Sequence, residues 1–172
     1  SFMGEASLKR AGVVQIVSKE GTQDIKAKNI VIATGARARV IPGMEPDGDR
    51  IMSYREAMVA ETIPERLVVV GTGAIGVEFA SFYRSLGAEV TLVEMVDRIL
   101  PAEDAEIAAL ADKAFKKRGI EIKLASKVTK VTKTGSGLEI CVEGKDDTKI
   151  LEASHLLSAV GVVGNIENIG LE

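Results

Sequence analysis

The chain has 172 residues, 46% hydrophobic and 27% charged, with a formal net charge of −3. That length allows one domain with a sizeable core, or one domain with part of another. The charge leaves no electrostatic footprint for nucleic acid or an anionic membrane surface, no apolar run approaches the ~18 residues a membrane span needs, and no signal peptide is visible.

Residues 2–33 read as a β-meander. Leu8 closes one short strand, Gly12 marks a turn, Val13–Val17 is a strand, Glu20-Gly21 a second turn, and Thr22–Lys26 pairs back. Asn29-Ile30-Val31-Ile32-Ala33 is expected to be a more buried strand running into Thr34-Gly35. Residues 41–50 hold two of the four prolines, two glycines and two aspartates, and form a loop. Ser53 is the N-cap of a short helix ending at Val59 or Ala60, with Glu56 placed to complete a capping box.

Next comes the most informative stretch. Leu67–Val70 is an unbroken apolar run, as suits a buried parallel strand. It leads into Gly71-Thr72-Gly73-Ala74-Ile75-Gly76-Val77-Glu78, a helix to Leu86-Gly87, a second strand from Ala88 to Val93, and Glu94 at its end. A bare G-x-G-x-x-G is weak evidence, but here every flanking element the motif needs is present. Gly71 allows the tight turn, Gly73 admits a pyrophosphate close to the backbone, and Gly76 lets the helix pack on the strand. The N–H groups at the helix start and its dipole then face the phosphates. Glu94 lies where a carboxylate accepts hydrogen bonds from both adenosine ribose hydroxyls and repels a 2′-phosphate. Arg98 is the one cation nearby that could serve a 2′-phosphate instead.

A helix is expected over 103–118, with acids first and bases last, Gly119 as its stop, and Ile107, Leu110, Ala111, Ala114 and Phe115 as its apolar stripe. Lys116-Lys117-Arg118 is read as a solvated face. Ile120–Leu124 is a third strand. Three short strands follow, with turns at 135–137 and 144–147, and a last strand, Leu156–Val160, ends at Gly161. Cys141, the only cysteine, shares a strand face with Glu139 and Glu143 and is read as a semi-exposed structural thiol; no disulfide can form within the chain, which fits a reducing, cytoplasmic compartment. His155, the only histidine, has no neighbouring acid or metal-ligand partner in sequence. The fold class is therefore α/β: a Rossmann-like parallel sheet in which a three-strand antiparallel meander takes the place of a crossover helix.

The order and spacing of these motifs resemble the middle of the flavin-dependent pyridine-nucleotide disulfide oxidoreductases, and within them the dihydrolipoamide dehydrogenase branch. The carrying residues are Asn29–Ala36 with Ile41-Pro42-Gly43, Gly71–Glu78, Val93-Glu94, Ile99-Leu100-Pro101 with Glu103-Asp104, and Leu157–Gly161 with Asn165 and Gly170-Leu171-Glu172. The resemblance implies an NAD site formed by Gly71, Thr72, Gly73, Ala74, Ile75, Gly76, Val77 and Glu78, with Glu94 at the adenosine ribose, Val128 beside the adenine and Gly161 near the nicotinamide half. Glu78 is implied to reach toward the nicotinamide; the alternative is a helix glutamate facing solvent. Ala6, Thr34, Gly35 and Ala36 are implied to lie at FAD. The implied domains are a strip of FAD domain (1–50), a linker with a short helix (51–64), an NAD-binding domain (65–165) and the start of a return to the FAD domain (166–172).

The implied activity of the parent protein is oxidation of dihydrolipoamide, carried on a lipoyl domain of a 2-oxo acid dehydrogenase complex, with reduction of NAD+ by a homodimeric flavoenzyme. The sequence departs from the family pattern at Gly161-Val162-Val163-Gly164-Asn165, which lacks an arginine and a proline. It also contains no second G-x-G-x-x-G, no C-x-x-x-x-C and no His-Glu pair. No catalytic residue and no metal site is therefore expected within these residues. Two other readings remain open: another member, such as a mercuric or glutathione-type reductase, and a nucleotide-binding module without catalysis.

Overall fold

The computed structural model describes residues 1–171, so Glu172, the last residue of the expected return segment, lies outside the described residues. The chain divides into two compact units, Ser1–Arg37 with the segment from Val163 on, and Ala38–Val162. No helix among the described residues is long and apolar enough to cross a membrane.

In the smaller unit β1 (Glu5–Arg10), β2 (Val13–Ser18) and β3 (Gly21–Lys26) form the expected antiparallel meander. The expected strand at Asn29–Ala33 does not form. Ile30, Val31 and Ile32 are exposed, Val31 by 88%, and the stretch enters no ladder. An apolar strand needs a hydrogen-bonding neighbour and cover on its faces, and no strand among the described residues supplies them. The segment is nevertheless fixed at its end. The Thr34 hydroxyl donates to the Asn165 carbonyl, Asn165 Nδ2 donates to the Thr34 carbonyl at 3.1 Å, and Asn165 N–H to the Gly35 carbonyl at 3.0 Å. Arg37 joins the same knot, donating to Asn165 Oδ1 at 2.9 Å and pairing with Glu167 at 2.6 Å. This arginine holds the return segment. The short strand β4 (Ala36–Ala38) leads out of this unit.

The larger unit is built on a five-stranded parallel sheet. Its strands in chain order are β5 (Ile51–Met52), β6 (Arg66–Val70), β7 (Glu89–Val93), β8 (Glu121–Lys123) and β12 (His155–Ser158), and their spatial order is β5-β12-β6-β7-β8. The helices are α1 (Tyr54–Met58), α2 (Ala74–Ser85) and α3 (Ala105–Lys117). Between β8 and β12 run β9 (Lys127–Lys133), β10 (Leu138–Glu143) and β11 (Thr148–Ala153), an antiparallel sheet of order β11-β10-β9. The chain leaves through β13 (Val162–Gly164).

Alternation along β6 explains the layers. Leu67 and Val69 point to one core with Val77, Ala80 and Tyr83 of α2; Val68 and Val70 point to another with Val128, Leu138, Ile140 and Val142 of the meander. Both faces are covered, hence the continuous apolar run. The capping box at α1 is complete: Ser53 Oγ accepts from Arg55 N–H, and Glu56 accepts from Ser53 N–H at 2.7 Å. Segment 51–64, read from sequence as a linker with a short helix, contributes the strand β5 and the capped helix α1. Asp104 caps α3, accepting from Glu106 and Ile107 N–H. The expected stripe on α3 holds in part: Ala111 and Phe115 are half-buried, joined by buried Ala108, while Ala114 is exposed and Ile107 and Leu110 are 56% and 63% exposed. The residues 107/110/111/114 and 108/111/115 share one helical period, so spacing alone does not choose between them.

Candidate functional site: a cavity at the ends of the parallel strands

The glycines carry different burdens. Gly71 adopts φ +96°, and a Cβ there would lie 2.6 Å from the Ala159 carbonyl oxygen. At Gly76 a Cβ would meet the Gly71 carbonyl oxygen at 1.9 Å, so α2 sits on the end of β6 at a distance only glycine permits. Gly73 is different. It is the N-cap of α2 at φ −66°, ψ −178°, makes no side-chain cap, and a Cβ there would meet nothing within 4 Å. The space in front of it is open, and the first N–H groups of α2 have no partner within the helix. An uncapped, twelve-residue helix aimed at empty space with its positive end is the arrangement that receives an anionic group.

Glu94 faces the same space from the end of β7. Its Oε2 accepts from Thr72 N–H at 2.9 Å and from the Thr72 hydroxyl at 2.8 Å, and its Oε1 accepts from Val96 N–H at 3.2 Å. The loop beyond is fastened as well: Leu100 N–H donates to the Thr72 carbonyl at 2.9 Å, and Ala125 N–H to the Val96 carbonyl at 2.8 Å. Leu100 and Ala125 both take left-handed backbone, φ +47° and +46°. Each costs strain for a residue with a Cβ, so the contacts around the loop must hold it there.

These elements enclose a cavity of about 650 Å³, within the range of small-molecule sites. Gly71, Thr72, Gly73, Ala74 and Ile75 line it from the turn, Glu94 from β7, Val128 from the meander and Gly161 from the chain after β12. Three expected residues stand apart from it. Gly76 is buried under the turn, Val77 belongs to the core, and Glu78 is exposed beside Phe82 and Phe115 in a separate hollow. In the smaller unit, Ala6 and Thr34 line a second, smaller hollow of about 180 Å³; Gly35 and Ala36 are exposed and do not line it.

Among the wall residues that sequence reasoning missed are Arg39, Met95, Val96 and Lys127. Arg39 comes to the cavity because its N–H donates to the Gly161 carbonyl at 2.9 Å, a pairing across more than a hundred residues that no local pattern announces. The cations that line the cavity are Arg39 and Lys127, not Arg98. Arg98 donates instead to the Pro101 carbonyl at 2.7 Å and does not line the space. Cys141 is half-buried, and among the described residues no group of His, Cys, Asp and Glu could hold a metal ion. His155 is half-buried next to Ser154 Oγ at 3.1 Å; burial, with the charge of Arg50, lowers its pKa, and it lies away from the cavity.

The fold and the sequence have close relatives. The family model described as pyridine nucleotide-disulphide oxidoreductase matches residues 3–172. A dihydrolipoyl dehydrogenase of Rhizobium etli is 52% identical over 91% of this chain and 32% of its own length, and one of Chlorobaculum parvum is 44% identical over 99% and 37%. The crystal structure of LpdA from Mycobacterium tuberculosis superposes with a TM-score of 0.84 at 32% identity, covering 98% of this chain and 38% of that one. The chain thus spans about a third of the length of the relatives it matches. With a Rossmann-like sheet, the glycine turn at its expected place and a family match over all but the first two residues, this chain belongs to the pyridine nucleotide-disulphide oxidoreductase family.

Proposed function

We propose that this chain is the NAD-binding part of a flavoprotein dihydrolipoamide dehydrogenase. The observation that carries the reading is the single cavity onto which the uncapped start of α2 and the Glu94 carboxylate both open. In this reading the pyrophosphate lies against Gly71–Ile75, the adenosine ribose at Glu94, the adenine beside Val128, and the nicotinamide half toward Gly161. Open space in front of Gly73 fits a pyrophosphate, and a carboxylate with an acceptor position left on Oε1 fits a ribose hydroxyl. Gly76 and Val77 would support the turn from beneath. Glu78 would meet the nicotinamide only through parts of the parent protein outside this chain. Ala6, Thr34, Gly35 and Ala36 would contribute to the FAD site of the parent.

NAD and FAD supply the hydride and electron chemistry; this chain's residues bind and orient. Glu94 accepts from the ribose and presents negative charge to any 2′-phosphate. The turn offers N–H groups to the pyrophosphate, and Met95 and Val96 give one wall an apolar surface. In the same reading the parent oxidises dihydrolipoamide on a lipoyl carrier domain, works as a homodimer and resides in the cytoplasm. The 44–52% identity to two dihydrolipoyl dehydrogenases over at least nine-tenths of this chain supports that branch of the family.

The test is calorimetry of the chain with NAD+ and with NADP+, beside its Glu94→Ala variant. The expected result is preference for NAD+ of at least tenfold in the unmutated chain, lost in the variant. Equal affinities in the unmutated chain would remove the ribose assignment. The purified chain is also expected to be colourless, without stoichiometric flavin, and without dihydrolipoamide-dependent NAD+ reduction.

A further inference from the structure

Thr72 occupies the variable second position of the glycine motif, where the pattern asks for no particular side chain. In the structure it is fully buried, at 0% exposure. Each of its polar groups is engaged: N–H and hydroxyl both donate to Glu94 Oε2, and its carbonyl accepts from Leu100 N–H. A carboxylate oxygen offers about two acceptor positions, so Thr72 fills Oε2. Val96 N–H takes one position on Oε1 and leaves one. The carboxylate is thereby held at fixed orientation with a single open acceptor on the side not committed to Thr72.

We propose that Thr72 is the positioning residue for cofactor selectivity in this protein: its hydroxyl locks Glu94 so that Oε1 alone receives one ribose hydroxyl and the carboxylate cannot swing away from a 2′-phosphate. This rests on the NAD reading of the cavity. It departs from the sequence expectation that Glu94 accepts from both ribose hydroxyls, because doing so would require the Thr72 hydroxyl to release Oε2. It also gives Thr72 a role other than contact with pyrophosphate. The same residue ties the selectivity carboxylate to the 95–101 loop through Leu100, so the wall formed by Met95 and Val96 and the ribose acceptor are set by one buried side chain and its backbone.

Two substitutions separate this role from simple packing. Thr72→Val keeps the volume and branching and removes the hydroxyl; Thr72→Ser keeps the hydroxyl and removes the methyl. Affinities of the full chain and both variants for NAD+ and NADP+ are measured by calorimetry, with far-UV circular dichroism as the check on folding. Thr72→Val is expected to narrow the ratio of NAD+ to NADP+ affinity at least fivefold, and Thr72→Ser to keep the parental ratio. A purely structural role would weaken both cofactors equally and leave the ratio alone. An unchanged ratio in Thr72→Val overturns the proposal, as does a ratio in Thr72→Ser as narrow as that of Thr72→Val. If Thr72→Val does not fold, Thr72→Ala takes its place as the hydroxyl deletion: a narrowed ratio there beside a parental one in Thr72→Ser supports the proposal, and an unchanged ratio in Thr72→Ala overturns it. If the unmutated chain shows no preference for NAD+, the reading of the cavity fails, which is a different result from a preference that Thr72 does not control.

Discussion

Gly76 and Gly73 lie one helical turn apart, and the structure predicts opposite consequences for the same alanine substitution. At Gly76 the new Cβ would stand 1.9 Å from the Gly71 carbonyl oxygen and 3.4 Å from the Ala159 Cβ. A carbon and a carbonyl oxygen need more than 3 Å, so α2 must move by over 1 Å or the turn must open. The obstacle is backbone, not the tip of a flexible side chain. Overpacking of this kind costs about 3 kcal/mol at the upper end of its usual range, while replacing a helical glycine by alanine returns about 1 kcal/mol. The net loss is about 2 kcal/mol. For a chain of this size each kcal/mol shifts the midpoint by roughly 2–4 °C, so Gly76→Ala should melt about 4–8 °C lower. At Gly73 nothing lies within 4 Å, and the backbone angles suit any residue. Loss of a glycine N-cap to alanine costs about 0.5 kcal/mol, and the midpoint should move by about 1–2 °C. Gly73→Ala, and more strongly Gly73→Val, should instead lose NAD+ binding, because the added carbon fills the space in front of α2. Thermal unfolding followed by circular dichroism and calorimetric titration decide the matter. A Gly76→Ala protein as stable as the parent would refute the close-packing account, and full NAD+ affinity in Gly73→Val would show that the phosphates bind elsewhere.

Two further outcomes follow from polar contacts. The Tyr83 hydroxyl donates to the Ala57 carbonyl at 2.6 Å inside the core, joining α2 to α1; Tyr83→Phe leaves that carbonyl without its partner and should cost roughly 1–3 kcal/mol in denaturant unfolding, with cofactor affinity unchanged. Asp47 accepts from the N–H groups of Asp49, Arg50 and Ile51, each at 2.9 Å, and pairs with Lys133 at 2.6 Å. Burial pushes its carboxyl upward, but Lys133 and the backbone N–H groups of Ile51 and Asp49 outweigh that and bring it down to about 2. An unfolded aspartate titrates near ~3.9. The folded value is the lower one, so the stabilisation is complete above about pH 4 and is lost as pH falls from about 4 to about 2. Discounted for solvent around the half-exposed Lys133, it amounts to about 1 kcal/mol. Asp47→Asn should lower urea midpoints at pH 6 and flatten their fall below pH 4; identical slopes in the two proteins would contradict the assignment.

Much of this site is legible in the sequence because its physics is local. The strand, the glycine turn and the helix succeed one another within twenty residues, and each glycine has a steric reason that spacing alone conveys. Glu94 is legible because it ends the next strand. What escapes is contact between distant segments. Arg39 and Lys127 reach the cavity only because the chain after β4 pairs with Gly161 and the meander begins beside β7. The Thr72 hydroxyl escapes because the motif treats its position as free. The misreading of Asn29–Ala33 has the opposite cause. Its composition is that of a buried strand, but composition does not supply a neighbour. Among the described residues there is no strand to pair with it, so its exposed Ile30, Val31 and Ile32 stay outside any sheet.

The meander between β8 and β12 is where fold and function meet. A parallel sheet with helices on one face still has another face to cover, and a crossover helix is the usual cover. Here Leu138, Ile140 and Val142 of β10 do that work against Val68, Val70 and Leu156. An antiparallel sheet covers as well as a helix would, but it differs in where its first strand begins. Ser126 N–H donates to the Glu94 carbonyl at 2.8 Å, and Ser126, Lys127 and Val128 then pass directly along the cavity. The covering layer thus begins at the C-terminal ends of β6 and β7, the end of an open parallel sheet where ligands bind. A single stretch therefore closes the core with Val128 and forms part of the cavity wall. Substitutions at Val128 should for that reason disturb stability and cofactor affinity together, whereas those at Gly73 and Gly76 divide the two effects between them.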